Sequence, residues 1–357
     1  MAEGSTTTRA RTERGLTYPQ PALPEPGKAV QVADGVLWLR FGLPMALDHI
    51  NLYAIEDGEG WIIVDCGLNT PESHSQWEDS FREALDGKPV TGVIVTHLHP
   101  DHLGAAGWIC ERFGAPLMMS RLEYTSACMM MADDAMAPSV HAAQHYHRQG
   151  WSEEDIQRWT NRRGRLSQMV GPVPRMFTRL GEGDVVDIGG REWTIVIGEG
   201  HSPEHVCLWR KDDGVLIAGD QILPKISSNI GVWSQEPMAD TLGEWLDSLE
   251  DLRGRLAPDL LVLPAHGEPF YGVIERLDAL LRGHEVGLKR LKRTLQQPCR
   301  SIDVFGSLFA RQIGPDVLEM ATAESLAHLN YLERRGQAQR ALDENGVEWW
   351  TVVEDVL

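Results

Sequence analysis

The stretch TGVIVTHLHPDHLGAAG, residues 91–107, joins an apolar run to a cluster of metal-binding side chains. Residues 93–95 are β-branched and apolar, which is typical of a buried strand. Four side chains able to bind metal follow within six positions, namely His97, His99, Asp101 and His102. Imidazole nitrogens and carboxylate oxygens are common ligands of zinc and iron. A loop at the end of a strand can direct alternating side chains at two neighbouring ions, so this stretch predicts a metal site.

Three later strand-like runs also end in a residue that can bind metal. These residues are His201 in GEGHSPEH, Asp220 in LIAGDQ and His266 in LPAHGEP. Asp65 ends a further run, WIIVDCG. Because the strands of one sheet bring their carboxyl ends to a common edge, we expect these residues to converge on the histidine-rich loop.

The 357 residues are enough for one large domain and a smaller one. Strand-like runs over 30–42 and 51–67, followed by alternating helical and strand-like segments, predict a layered α/β protein. We expect a flexible, proline-rich arm over 1–28 and a catalytic domain over 29–283, with a helical insertion at 121–178. Residues 284–357 read as helices followed by a hairpin turning at Asn345-Gly346, which predicts a small winged-helix-like subdomain.

The ordered set of Asp65, THLHPDH, His201, Asp220 and His266 resembles the metallo-β-lactamase superfamily, over about 30–283. The resemblance implies an αββα sandwich of hydrolases that carries two metal ions. It implies that metal one is bound by His97, His99 and His201, and that metal two is bound by Asp101, His102 and His266. Asp220 would bridge the two ions, and Asp65 would orient the loop through hydrogen bonds without binding metal. Asp101 and Asp220 are the residues to which we assign a catalytic role.

One short segment departs from the superfamily pattern. Many members have Gly-His-Thr-Pro-Gly-His where residues 200–205 of this chain read GHSPEH. Glu204 lacks the backbone freedom of glycine, which puts the local turn and access to the pocket in question. His205 matches a position that does not bind metal, so we expect a structural role for it.

The resemblance implies a dinuclear metal-dependent hydrolase that uses a metal-bridging hydroxide. Zinc is the expected ion, and iron and manganese stay open as alternatives. We expect a glyoxalase II-like enzyme acting on a small, partly apolar ester, thioester or lactone. The alternatives are a nuclease acting on single-stranded RNA, favoured by the winged-helix-like unit and the basic cluster at 289–293, and hydrolytic displacement on an activated ring.

Composition and charge limit the classes of molecule that the protein is expected to bind. With 33 basic and 52 acidic residues the net charge is −19, which opposes binding to nucleic acid or to an anionic membrane. No apolar stretch approaches the roughly 20 residues of a membrane span. Five scattered cysteines and an N-terminus without an apolar run indicate a reducing compartment, so we expect a cytoplasmic protein. A small-molecule substrate is the expected partner, with a homodimer contact as a further expectation.

Other candidate residues have a simpler interpretation. We expect His141, His145 and His147 to lie on a solvated face of the insertion, and Cys66 to be a buried thiol and not a nucleophile. Met129–Met131, Trp151 and Trp159 are typical of packing. If the insertion instead caps the metal cleft, as we predict, these side chains would contact an apolar part of the substrate.

Overall fold

The computed structural model describes residues 11–19, 22–45, 47–136, 139–161, 164 and 166–353. Its strands are β1 (Arg11–Glu13), β2 (Leu16–Tyr18), β3 (Val30–Ala33), β4 (Val36–Gly42), β5 (His49–Asp57), β6 (Gly60–Val64), β7 (Val90–Ile94), β8 (Leu117–Met119), β9 (Phe177–Arg179), β10 (Val185–Ile188), β11 (Arg191–Gly198), β12 (His205–Arg210), β13 (Val215–Gly219), β14 (Leu261–Pro264), β15 (Ala338–Leu342) and β16 (Glu348–Val352). Its helices are α1 (Pro71–Glu83), α2 (Pro100–Leu103), α3 (Ala106–Phe113), α4 (Arg121–Asp134), α5 (Val140–Arg148), α6 (Glu153–Thr160), α7 (Leu166–Met169), α8 (Thr241–Arg255), α9 (Val273–Thr294), α10 (Phe305–Leu308) and α11 (Leu318–Arg334).

Two sheets form the centre of the protein. The first runs in the order β3-β4-β5-β6-β7-β8-β9, and the second in the order β10-β11-β12-β13-β14. Pairing is antiparallel from β3 to β6 and from β10 to β13, and parallel from β6 to β9 and between β13 and β14. The central strands β6 and β13 are buried along their whole length, because apolar layers cover both of their faces.

The two sheets pack face to face around an aromatic and β-branched core. Trp38 and Tyr53 of the first sheet and Trp193 of the second belong to this core, and each is at most 2% exposed. On the outer face of the first sheet, Trp77 and Phe81 of α1 are buried with the helix α3. Trp245 of α8 is buried on the outer face of the second sheet, together with residues of α9 and α11. This order of layers confirms the predicted αββα sandwich.

Among the described residues between β8 and β9 are the helices α4 to α7, in the segment predicted as a helical insertion. The strand β9 begins at Phe177, so the predicted range of 121–178 extends two residues into the first sheet. At the C-terminal end, α10 and α11 precede the antiparallel pair β15-β16, whose connection includes Asn345 and Gly346. Helices followed by a hairpin are the elements expected there, and the winged-helix description stays a prediction. No helix among the described residues is long and apolar enough to span a membrane.

Two predicted boundaries differ from the structure. Residues 1–10, 20 and 21 of the predicted arm lie outside the described residues, but 11–18 form the hairpin β1-β2. Leu16 and Tyr18 are each 3% exposed, and Thr17 exchanges backbone hydrogen bonds with Tyr271. A free arm is therefore wrong for this part, because two apolar side chains anchor it. The predicted boundary at 283 falls inside α9, which is one continuous helix from Val273 to Thr294.

Candidate metal centre

The strand order explains why the predicted ligands meet. The parallel strands β6 and β7 end at the same edge of the first sheet, and Asp65 and the 97–102 loop follow them. In the second sheet, β11, β13 and β14 run in the same direction, and His201, Asp220 and His266 follow their carboxyl ends. Backbone hydrogen bonds from Val206 to Thr96 (2.8 Å) and from Asn51 to Ala265 (2.7 Å) join the two edges.

Four ligand atoms form a first group around His97. The group comprises His97, His99, His201 and Asp220, with one ligand atom of each lying within 4.8 Å of the others. The Nε2 atom of His97 lies 2.8 Å from Nδ1 of His99 and 3.3 Å from Nε2 of His201. A tetrahedral zinc ion with bonds of about 2.0–2.1 Å holds its ligand atoms at about 3.3 Å from one another. The group has the dimensions of a metal site.

A second group lies on the other side of Asp220. It comprises Asp101, His102 and His266. The Oδ2 atom of Asp101 lies 3.4 Å from Nε2 of His266 and 3.8 Å from Nε2 of His102. Its two imidazoles and one carboxylate are again ligands that suit a divalent cation.

Asp220 directs one carboxylate oxygen at each group. Its Oδ2 lies 3.5 Å from Nε2 of His201, while its Oδ1 lies 3.4 Å from Nε2 of His266 and 3.6 Å from Nε2 of His102. The Oδ1 of Asp220 and the Nε2 of His102 are buried without a hydrogen-bond partner. Buried polar atoms are normally satisfied, so two orphaned ligand atoms facing each other fit a cation between them. The cluster is able to hold divalent metal ions.

Hydrogen bonds fix the ring orientation of three histidines. The Nδ1 of His201 donates to the carbonyl oxygen of Asn229, and the Nδ1 of His266 to that of His49, each at 2.7 Å. The Nδ1 of His102 lies 2.7 Å from Oδ2 of Asp65. Because Nδ1 is engaged by an acceptor in each ring, Nε2 is the nitrogen that faces the centre.

Asp65 contacts the 97–102 loop and its preceding residue Thr96 and lies outside both ligand groups, and its role in orienting metal ligands stays a prediction. Its Oδ1 accepts a hydrogen bond from the backbone N–H of Thr96 at 2.8 Å, and the Thr96 hydroxyl donates to Oδ2 at 2.9 Å. Asp65 has a φ of 61°, in the left-handed region that non-glycine residues seldom adopt. This conformation directs a buried carboxylate at both Thr96 and His102.

His205 lies behind the ligands and outside both groups. Its Nε2 accepts a hydrogen bond from the backbone N–H of Asp220 at 3.0 Å, and its ring packs against that of His97. Gly219 has a φ of +50°, and a Cβ there would lie 2.5 Å from Cε1 of His205. Glycine is therefore required at 219 for His205 to support Asp220. Glu204 has no positive φ, and its Oε2 accepts from the backbone N–H of Leu122 at 2.9 Å.

Glu123, in the first turn of α4, is a residue that the sequence pattern did not single out. Its Oε2 accepts from the backbone N–H of Leu98 at 2.9 Å, and its Oε1 from that of Glu204 at 2.8 Å. Leu98 lies between two predicted ligands, and Glu204 follows His201 by three positions. Glu123 is fully buried, which raises the pKa of its carboxyl group. It therefore joins the two loops that carry the three histidines of the first group.

Charge is distributed unequally between the two groups. Burial and the neighbouring His201 lower the pKa of His99 to about 3, so this ring is neutral. Burial alone would lower the pKa of His102, but Asp65, Asp101 and Asp220 raise it to about 10. Burial would raise the pKa of Asp220, yet His266 and His102 hold it well below its usual range. Positive charge on His102 and His266 therefore favours the ionised form of Asp220, and bound cations would favour it in the same way.

The other candidates lie apart from this centre. His141 and His147 are exposed, but His145 is only 8% exposed, so the predicted solvated face is wrong for this residue. None of the three histidines of α5 joins a metal-binding group among the described residues. Cys66 is fully buried, and burial raises the pKa of its thiol well above the usual value, so it is not a nucleophile. The basic residues at 289–293 lie along α9, where Lys292 donates to Gln337.

The three methionines of α4 differ in their exposure to solvent. Met129 is 51% exposed, whereas Met130 and Met131 are partly buried. Met130 and Met131 lie beside Leu98 and Leu103, which follow β7, in an apolar depression that has no room for a water molecule. The insertion thus contacts the metal loop, and its contact with substrate stays a prediction.

The fold and the ligand geometry together define the class of protein. The chain belongs to the metallo-beta-lactamase superfamily, whose sequence model matches residues 46–266. The model described as "Metallo-beta-lactamase-like, C-terminal domain" matches residues 288–353. Members of this superfamily are metallo-hydrolases, so the chain is an enzyme of that class.

Three similar proteins illustrate the relationship. The crystal structure of a beta-lactamase domain protein from Burkholderia ambifaria superposes on this chain with a TM-score of 0.88. The two sequences are 40% identical, and the match covers 95% of this chain and 98% of the other chain. The probable metallo-hydrolase YqjP of Bacillus subtilis is 23% identical over 84% of this chain and 92% of its own. The acyl-coenzyme A thioesterase MBLAC2 of Homo sapiens is 23% identical over 54% of this chain and 64% of its own.

Proposed function

We propose that this protein is a dinuclear metal-dependent hydrolase of a small, partly apolar thioester, ester or lactone. The observation that carries the proposal is the position of Asp220, which directs one oxygen at each of two ligand groups. Two bound cations would lower the pKa of a shared water and polarise the oxygen of the substrate. In this proposal His97, His99 and His201 hold the first ion, and Asp101, His102 and His266 hold the second.

The residues around the centre hold the ligands in place. Asp65 fixes the tautomer of His102, so that Nε2 is the free nitrogen. His205 holds the backbone of Asp220, which keeps both of its oxygens between the groups. A cleft arranged in this way needs no serine or cysteine nucleophile. The residues that would bind the metal ions are therefore the same residues that would promote hydrolysis.

Two observations favour a partly apolar acyl substrate. Leu47 and Ile226 are large apolar side chains that are 37% and 44% exposed. Each lies within three positions of a residue whose carbonyl orients a ligand, namely His49 and Asn229. The relative from Homo sapiens is named as an acyl-coenzyme A thioesterase. We therefore place a thioester first among the three substrate classes.

The test is a substrate panel with matched variants. The purified protein is assayed on acyl thioesters, aryl esters and lactones beside single-stranded RNA, before and after removal of metal with a chelator. We expect hydrolysis of at least one acyl substrate that is lost with the metal and restored by zinc, iron or manganese. Asp220→Asn should lose most turnover while its circular dichroism spectrum is unchanged. Cleavage of RNA alone, or full activity of Asp220→Asn, would contradict the proposal.

A further inference from the structure

Helix α11, in the C-terminal part of the chain, holds the segment that leads from the metal centre to α8. The backbone N–H of Val232 donates to the carbonyl oxygen of Ala323 at 3.0 Å. Further along the helix, the side-chain amide of Asn330 donates to the carbonyl oxygens of Pro237 and Ala239, each at 3.0 Å. The position of this segment therefore depends on α11.

One contact of α11 joins Glu324 to Asn229, a residue that is itself hydrogen-bonded to the predicted ligand His201. The Nδ2 of Asn229 donates to Oε2 of Glu324 at 2.7 Å, and burial raises the pKa of this carboxyl group to about 7, which the hydrogen bond from Asn229 opposes. The backbone carbonyl of the same asparagine accepts the Nδ1–H of His201 at 2.7 Å. Asn229 is thus held through its side chain by the C-terminal helix, and through its main chain it orients a metal ligand.

We propose that Glu324 is a positioning residue for the metal ligand His201. By fixing Asn229, Glu324 sets the direction of the carbonyl that holds the His201 ring and keeps the proton on its Nδ1. This inference rests on the metal centre of the proposed function. It assigns the C-terminal subdomain a task at the metal site, because the first ligand group keeps its geometry only when α11 is in place.

The same helix offers a matched control. The Oε1 of Glu319 accepts hydrogen bonds from the hydroxyl of Tyr146 at 2.7 Å and from Nε1 of Trp159 at 2.8 Å. Like Glu324, this residue is a partly buried carboxylate of α11 that contacts another segment of the chain. Its partners belong to the insertion and not to a loop that holds a ligand. Glu319→Ala therefore measures how the loss of a partly buried carboxylate from α11 changes metal affinity when no ligand-bearing loop loses a contact.

The test measures metal affinity directly. Metal-free full-length protein is titrated with Co²⁺ in competition with a chromophoric chelator, and His201→Ala and His266→Ala identify the two binding steps. Loss of a hydrogen-bond partner of a metal ligand typically weakens binding by about 10- to 100-fold. We expect a loss in that range for Glu324→Ala at the step that His201→Ala abolishes, with the other step unchanged. Glu324→Gln keeps an acceptor oxygen and should recover most of the affinity.

A double-variant comparison separates positioning from general destabilisation. Asn229→Ala should weaken the same step as Glu324→Ala, and the double variant should lose no more than either single one, since both break one connection. Asn229→Ala also carries the test if Glu324→Ala fails to fold, because it leaves α11 unaltered. Unchanged Co²⁺ affinity in these variants, or an equal loss in Glu319→Ala, would overturn the role of Glu324. A wild-type protein that binds no Co²⁺ would instead contradict the metal centre itself.

Discussion

Replacing Glu123 with alanine should weaken the metal centre from the side of the insertion. Both carboxylate oxygens accept backbone hydrogen bonds, one from Leu98 and one from Glu204, and the side chain is fully buried. Each buried N–H left without an acceptor costs about 1–3 kcal/mol, so two cost about 2–6 kcal/mol. That is a large part of the roughly 5–15 kcal/mol that stabilises a typical domain.

Glu123→Gln should have a smaller effect, for two reasons that can be separated. The amide keeps one acceptor oxygen, so one of the two N–H groups stays paired. Burial raises the pKa of Glu123, which means that the charged carboxylate is itself costly to bury, and the neutral amide removes that cost. The expected order of stability is therefore wild type, then Gln, then Ala.

The assay combines urea unfolding with metal analysis. Glu123→Ala should lower the free energy of unfolding by about 2–6 kcal/mol and lose the metal of the first group before that of the second. The control is Ser120→Ala, which removes the hydroxyl that accepts from the backbone N–H of Glu123 at the start of α4. Loss of such a cap costs about 1 kcal/mol, and both metals should stay bound. A Glu123→Ala protein within about 0.5 kcal/mol of wild type, with both metals retained, would refute the reasoning.

Three further changes test other parts of the structure. Asp65→Asn replaces the carboxylate that accepts the hydrogen bond from His102 with an amide. Metal affinity at the second group, measured by competition with a chelator, should fall by about 10- to 100-fold. An affinity equal to that of the wild type would contradict the role of Asp65. Burial lowers the pKa of His284 to about 3, so the folded protein favours the neutral ring. The contribution of His284 to the free energy of unfolding is therefore complete above the pKa of histidine in the unfolded chain and is lost as the pH falls. His284→Gln should therefore reduce the pH dependence of the unfolding free energy between about pH 6 and 5 by up to about 1.4 kcal/mol per unit, and parallel curves would show that His284 is not the source. Met129→Ala and Met130→Ala should change the relative rates on thioesters of different chain length at constant metal content, whereas fixed ratios would place the methionines outside the substrate site.

The proximity of the predicted ligands could be foreseen because its signals are local in the sequence. Each of these residues follows a short apolar run, and runs such as GWIIV in β6 are buried strands in the structure. The direction of β11, β13 and β14 then brings three separate strand ends to one edge. The proximity of the predicted ligands is thus a consequence of strand patterns that the amino-acid sequence itself displays.

The supporting carboxylates could not be predicted in this way. Glu123 contacts Leu98 and Glu204, which lie 25 and 81 positions away, and Glu324 contacts Asn229 at a separation of 95. In the sequence of a helix, a glutamate that contacts a distant loop cannot be distinguished from a glutamate that is exposed to water. Only the packing of α4 and α11 against the loops makes these two side chains specific.

Errors at the boundaries have a similar origin. The strands β1 and β2 have three residues each, too few to produce a periodic pattern. Two apolar side chains, Leu16 and Tyr18, are enough to dock this hairpin near Tyr271. The change of sequence pattern near 283 does not mark the end of a helix, since α9 runs without a break from Val273 to Thr294.

The most direct test of the dinuclear centre is anomalous X-ray diffraction from crystals of the protein purified without chelator, recorded at the absorption edge of its metal. Two peaks about 3.5–4 Å apart are expected, one on each side of the Asp220 carboxylate. The first should lie among His97, His99 and His201, and the second among Asp101, His102 and His266. A single peak in fully occupied crystals, or two peaks without Asp220 between them, would contradict the account.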